Sequence, residues 1–177
     1  MAKKELNLLK TCLEGKSFEL PIAMDVEDPR LKSLPAAELT KLVKMELREI
    51  EKWGLYAILY TYSNFADYNL NMWQLNDFDL WLADYRNKRP TRKHGMWQYS
   101  STGKVSGVSV PVDMDYCYVD YPSVIKAKGL NGFKATNTST SKVLDSSGFK
   151  KGDKSDGVLA LKQLLMLAGY KLDNNGT

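Results

Sequence analysis

The chain is poor in the residues from which metal sites, disulfide frameworks and nucleotide cradles are built. It holds one histidine, His94, and two cysteines, Cys12 and Cys117. That supply excludes a Cys/His zinc spacing and a disulfide scaffold, so no metal and no cofactor is expected. A single bridge between Cys12 and Cys117 is open on paper, but nothing in the spacing argues for it and two free thiols are expected. No Gly-rich phosphate loop or nucleophile-elbow motif occurs. Long hydrophobic runs are absent too: no stretch of about 18 apolar residues exists, and no membrane span is expected. Residues 1–13 carry no long apolar core ahead of a small-residue cleavage site. Leu6, Leu8, Leu9, Cys12 and Leu13 instead read as a short amphipathic helix, the start of a protein made in the cytoplasm without a signal peptide. Charge of one sign is also scarce. With 25 Lys and Arg against 21 Asp and Glu, the net charge is +4, too little for nucleic acid to be the leading partner but compatible with an anionic surface. His94 lies in a basic stretch with Arg86, Lys88, Arg89, Arg92 and Lys93, expected to be a solvated loop.

What is present fits one globular domain with a small appendage: 177 residues, 44% hydrophobic and 26% charged, an ordinary soluble composition. Ten Tyr and four Trp cluster largely between positions 53 and 121. Such density builds cores, and it also builds platforms on which the apolar face of a sugar can stack. The chain alternates. After a strand over 20–25, Leu39, Leu42, Val43, Leu47, Ile50 and Trp53 recur at helical spacing, with Pro35 in the first turn and Gly54 as the stop. A β-rich run over 55–62 comes next, then a short helix within 66–75. Further strands are expected over 79–85, 95–100 and 110–114, the last ahead of Tyr121 and Pro122. This is an α/β pattern that loses its later helices.

The stretch 20–28 holds the densest chemistry. An apolar run through Ile22, Ala23 and Met24 ends in Asp25, Val26 and Glu27. On a strand, Asp25 and Glu27 project from one face, their Cα atoms about 6–7 Å apart. Carboxylates crowded at a strand end raise one another's pKa, and the more desolvated one can stay protonated, which suits acid-assisted cleavage of a glycosidic bond. The plainer alternative is a polar strand terminus leading into a helix, with Asp28 or Ser33 as part of its cap. Tyr62, Asp84, Tyr85, Gln98 and Asp113 also fall at or just past apolar runs. In parallel α/β barrels the carboxyl ends of strands form the active face, so these positions point to one shared site.

Several of these motifs, in order, resemble the strands of glycoside hydrolase family 25: Met-Asp-Val-Glu-Asp at 24–28, Tyr-Thr-Tyr-Ser-Asn at 60–64, Leu-Trp-Leu-Ala-Asp-Tyr at 80–85, Gly-Met-Trp-Gln-Tyr-Ser-Ser at 95–101 and Val-Asp-Met-Asp at 112–115. The resemblance spans 12–133 and implies an N-acetylmuramidase, a lysozyme of the phage endolysin and autolysin type. It implies a modified TIM-like (β/α) barrel. In that alignment the chain begins at the fourth strand and runs to the eighth, so the first three strands and one early aspartate have no counterpart. It implies Glu27 as general acid, Asp25 stabilising charge at the anomeric carbon or orienting the N-acetyl group, and Asp113 completing the acidic site. Tyr62, Asp84, Trp97, Gln98 and Tyr99 are implied to contact substrate, the last three as an opposite wall. The partner implied is a peptidoglycan glycan strand, reached at the cell wall after release. A five-stranded arc would also present two open edges through which chains self-associate.

The domain plan read from the sequence is therefore a partial catalytic domain over 1–133, a Ser/Thr-rich linker over 134–147 and a helical appendage over 148–177. In the last of these, Val158, Leu161, Leu165 and Ala168 form one stripe that Gly169 ends. The run from Gly152 to Tyr170 resembles the first helix of a type 1 peptidoglycan-binding domain.

Overall fold

The computed structural model describes residues 2–86 and 88–135; the linker and appendage expected beyond them lie outside the described residues. Five strands make one sheet in the order β1-β2-β3-β4-β5: β1 (Ile22–Asp25), β2 (Ala57–Tyr62), β3 (Asp79–Ala83), β4 (Met96–Gly103) and β5 (Val112–Cys117). The first four run parallel, and β5 returns antiparallel to β4. The sheet curls into half a barrel, so the α/β partial-barrel class read from the sequence is the one observed. Helix α1 (Ala2–Leu13) precedes β1, α2 (Ala36–Lys52) and α3 (Ser63–Tyr68) flank β2, and α4 (Tyr121–Lys128) comes after β5.

The apolar stripe of α2 explains the main core. Leu39, Val43, Leu47 and Ile50 are all nearly or fully buried, and they pack with Ile22, Val26, Ala57 and Leu59 on the convex side of the sheet. Each such side chain contributes roughly 1.5–3 kcal/mol on burial. Gly54 ends α2 with φ +76, a left-handed conformation that glycine adopts without a Cβ penalty. A second cluster gathers Ile58 and Met96 of the sheet with Tyr121 and Ile125 of α4, plugging the concave side at the amino-terminal end of the strands.

Three differences from the sequence reading have local causes. Helix α4 follows the last element expected from the sequence, whose apolar runs end ahead of Tyr121 and Pro122; Asp120 is its amino-terminal cap, accepting from the Ser123 N–H, and Pro122 lies in its first turn. Strand β5 extends to Cys117 rather than ending at 114, since its residues are too polar and too exposed to show an apolar alternation. His94 is not in a solvated loop. It is buried, one ring nitrogen 2.6 Å from the Arg92 carbonyl and the other accepting from Arg89 Nε at 3.2 Å, with its ring edge-on to Tyr118. Cys12 and Cys117 are free and exposed.

Candidate active site

Strand alternation decides which residues of 22–27 face the cleft. Ile22 and Val26 are buried against the core under α2, so Asp25 and Glu27 fall on the opposite, concave side. The backbone just before Glu27 is held firmly: Val26 N–H donates to the Tyr60 carbonyl at 2.9 Å, and Thr61 Oγ1 donates to the Val26 carbonyl at 2.6 Å. Just after it, Asp28 turns away to cap a 3-10 turn, accepting from Arg30 N–H at 2.8 Å. The hydrogen bonds from Arg30 hold the Asp28 carboxyl down at about 2, the opposite direction from Glu27.

Partial desolvation in the cleft raises the carboxyl of the exposed Glu27 above its ordinary value, and the charges of Asp25 and Asp113 raise it further. Asp25 is raised by burial. The three acids named from the sequence thus lie within electrostatic reach of one another, although Asp113 comes from β5, four strands away in the sheet order. Curling the sheet is what brings its two ends together. The phenols of Tyr60 and Tyr85 are both raised by burial, and both also feel Glu27 and Asp113.

Gln98 sits among these groups, nearly fully buried. Its Oε1 accepts from Tyr60 Oη at 3.0 Å and from Tyr85 Oη at 2.6 Å, so one amide oxygen fixes two rings beside the acids. Tyr62 joins Glu27, Ser63, Asn64, Asp84 and Tyr85 in lining a cleft of about 420 Å³. Asp84 lies in its wall as a buried carboxylate, held down at about 2 first by the Arg86 hydrogen bonds and also by that from Ser63. Ser63 Oγ donates to it at 2.5 Å. Its lone pairs already serve the turn after β3.

Trp97 and Tyr99 are placed elsewhere. In a strand, neighbours point to opposite faces, and with Gln98 facing the cleft its two neighbours face away. Trp97 Nε1 donates to the Asp84 carbonyl at 2.8 Å, and its ring lies 5.7 Å from that of Tyr116. Tyr99 stacks on Tyr116 at 4.7 Å. The opposite wall expected of 97–99 reduces to Gln98. Sequence reasoning missed Tyr60 and Asp115 as neighbours of the site. Both carried a signal, since Tyr60 opens the motif at 60–64 and Asp115 closes the one at 112–115; the register of β5 sets Asp115 opposite Gln98.

The arrangement can deliver a proton from one carboxyl group to a leaving oxygen beside two further acids, within a cleft wide enough for a polar ligand. The model of the glycosyl hydrolases family 25 matches residues 3–108, a range that contains Asp25, Glu27 and Gln98 and ends before Asp113. YegX of Escherichia coli (strain K12), an uncharacterized protein, is 35% identical over 119 residues, covering 64% of this chain and 42% of YegX. An autolytic lysozyme of Clostridium acetobutylicum is 31% identical over 105 residues, covering 58% of this chain and 32% of the lysozyme. Among solved structures, the Clostridium perfringens spore cortex lytic enzyme SleM superposes with a TM-score of 0.53 at 27% identity, covering 66% of this chain and 43% of SleM. The chain therefore spans less than half the length of these relatives. By its family match and by the strands that carry it, this chain belongs to family 25 of the glycosyl hydrolases.

Proposed function

We propose that the chain is a peptidoglycan hydrolase of the N-acetylmuramidase type, cleaving the β-1,4 bond between N-acetylmuramic acid and N-acetylglucosamine. One observation carries the reading: Glu27 is flanked by Asp25 and Asp113 at the carboxyl end of a parallel arc, with its own acidity shifted toward the protonated form. A carboxyl group whose pKa is raised beside further acids suits general-acid cleavage of a glycoside. Glu27 gives its proton to the leaving oxygen as the C1–O bond breaks. Water then supplies the hydroxyl at C1, and its other proton restores Glu27. Asp25 and Asp113 hold negative charge near the anomeric carbon as it becomes positive. The names of the autolytic lysozyme and of the spore cortex lytic enzyme support a cell-wall substrate.

The test is digestion of purified peptidoglycan, with the new reducing ends identified as muramic acid or glucosamine. Muramic acid ends are expected; glucosamine ends, or none, would remove the proposal. The pH profile supplies a second check. A general acid works only while protonated, so the rate falls as pH rises through the Glu27 pKa. Asp113→Asn deletes one of the charges that raise it, and the alkaline limb is expected to move to lower pH. A limb that stays in place or moves upward would show that Asp113 does not act on Glu27.

A further inference from the structure

We propose that Gln98 is a positioning residue for the general acid: its amide oxygen takes the hydroxyl protons of Tyr60 and Tyr85, so that neither phenol donates to Glu27. This rests on the glycan-hydrolase reading for its purpose, since a carboxyl group that must give a proton gains from having no donor aimed at it. Two other carboxyl groups just past strand ends show what a donor does. Asp28 receives hydrogen bonds from Arg30, Asp84 receives them from Arg86 and Ser63, and both are held down at about 2. Glu27 lines the same cleft as Asp84. Among the described residues no hydrogen bond reaches its carboxyl, and its acidity is shifted the other way. Yet two phenols stand close enough to feel its charge, each with one proton to give.

Both protons are engaged elsewhere. Tyr60 Oη donates to Gln98 Oε1 at 3.0 Å, and Tyr85 Oη donates to the same atom at 2.6 Å. An amide oxygen carries two lone pairs, so one glutamine suffices for two phenols. Gln98 is nearly fully buried and is held in the sheet between Ala83 of β3 and Asp115 of β5. Asp115 in turn accepts from Trp81 Nε1 at 2.7 Å, a bond that reaches from β3 past β4 to β5. The Tyr60 ring meets that indole edge-on at 5.1 Å, which fixes the ring and leaves the hydroxyl as the part free to turn. The other groups that act on Glu27 are the carboxyls of Asp25 from β1 and Asp113 from β5, and neither offers a donor while ionised. Without an acceptor at 98, the freed O–H groups turn to the acids, and a hydrogen bond to the charged form lowers a carboxyl pKa.

The test reads the Glu27 carboxyl directly, by carbon-13 NMR titration of the whole chain without substrate, with Glu27→Gln assigning the signal. Gln98→Met keeps the length of the side chain and removes the acceptor. Its Glu27 midpoint is expected to fall by about one pH unit or more. Tyr85→Phe is expected to leave the midpoint within about 0.3 of a unit, because the proton it deletes is already held by Gln98. Combining the two changes is expected to restore part of the fall, since one freed donor is gone. Tyr85 is exposed, so Tyr85→Phe keeps the fold and decides the matter if Gln98→Met does not. A midpoint that rises by about one unit in Tyr85→Phe would show Tyr85 donating to Glu27 in the parent chain, and would overturn the assignment. An unchanged midpoint in folded Gln98→Met would overturn it as well. Peptidoglycan cleavage by the same variant keeps the two failures apart: its alkaline limb is expected to move to lower pH with the midpoint. A midpoint that falls in a chain that never cleaves peptidoglycan would leave the proton arrangement standing and remove the hydrolase reading.

Discussion

Glu27→Gln is expected to lower the rate of peptidoglycan cleavage by about 10²–10⁴-fold, the range a positioned general acid supplies. That corresponds to roughly 2.7–5.4 kcal/mol of barrier at 1.36 kcal/mol per decade. The amide is nearly isosteric with the acid but has no proton to give at this acidity. Glu27 is exposed, and the backbone beside it is held by Val26 and Thr61, so the fold is expected to survive with an unchanged melting transition. Glu27→Asp should also fail, because a side chain shorter by one methylene withdraws the proton from its place while keeping the charge. The pair separates loss of chemistry from loss of local charge. Cleavage within about threefold of the parent in Glu27→Gln would exclude Glu27 as the acid.

Asn131→Ala is expected to cost about 3 kcal/mol or more of stability. Asn131 is fully buried, and its side chain closes the amino-terminal end of the half-barrel. Oδ1 accepts from the Tyr56 N–H at 2.7 Å, and Nδ2 donates to the carbonyls of Phe18 at 3.1 Å and Leu20 at 2.8 Å. One side chain thus ties the approaches to β1 and β2 to the segment after α4. Removing it strands three backbone groups, each worth about 1–3 kcal/mol if left buried and unpaired. Asn131 also has φ 53, a region that asparagine tolerates better than alanine, adding about 1 kcal/mol. Asn131→Gly keeps the backbone relaxed and loses the same bonds, so it isolates the hydrogen-bond share. Denaturant titration of the three chains reads the result, and an alanine variant within about 1 kcal/mol of the parent would show that the hub is dispensable. The cleft is expected to loosen with it, since β1 presents Asp25 and Glu27 and enters the sheet beside the carbonyls that Asn131 holds.

The residues of the chain determined its local elements almost unaided. Helix α2 was legible because Leu39, Val43, Leu47 and Ile50 recur every three to four positions and Gly54 stops them, all signals within one segment. Asp25 and Glu27 were legible as a pair because two residues of a strand separated by one must share a face, whatever the rest of the fold does. The phase and partners of the later strands were not. Of Trp97, Gln98 and Tyr99, alternation lets either the middle residue or the outer two face the cleft, and no property of the segment itself chooses. The choice came from pairing Gln98 with Ala83 on one side and Asp115 on the other. Likewise His94 sits in a run of cations that reads as solvated, and only the Tyr118 ring and the Arg89 guanidinium packed around it show otherwise.

Local spacing therefore settled most of the elements, though not α4, and which acid pair β1 carries, because those depend on interactions a few residues apart. Whether Asp113 stands near Glu27, and whether Trp81 can hold Asp115 across β4, was decided by the direction of β5 and the curl of the sheet. Those arise from burying one face under α2 and plugging the other with Tyr121 and Ile125, contacts between segments that no single stretch of the chain contains.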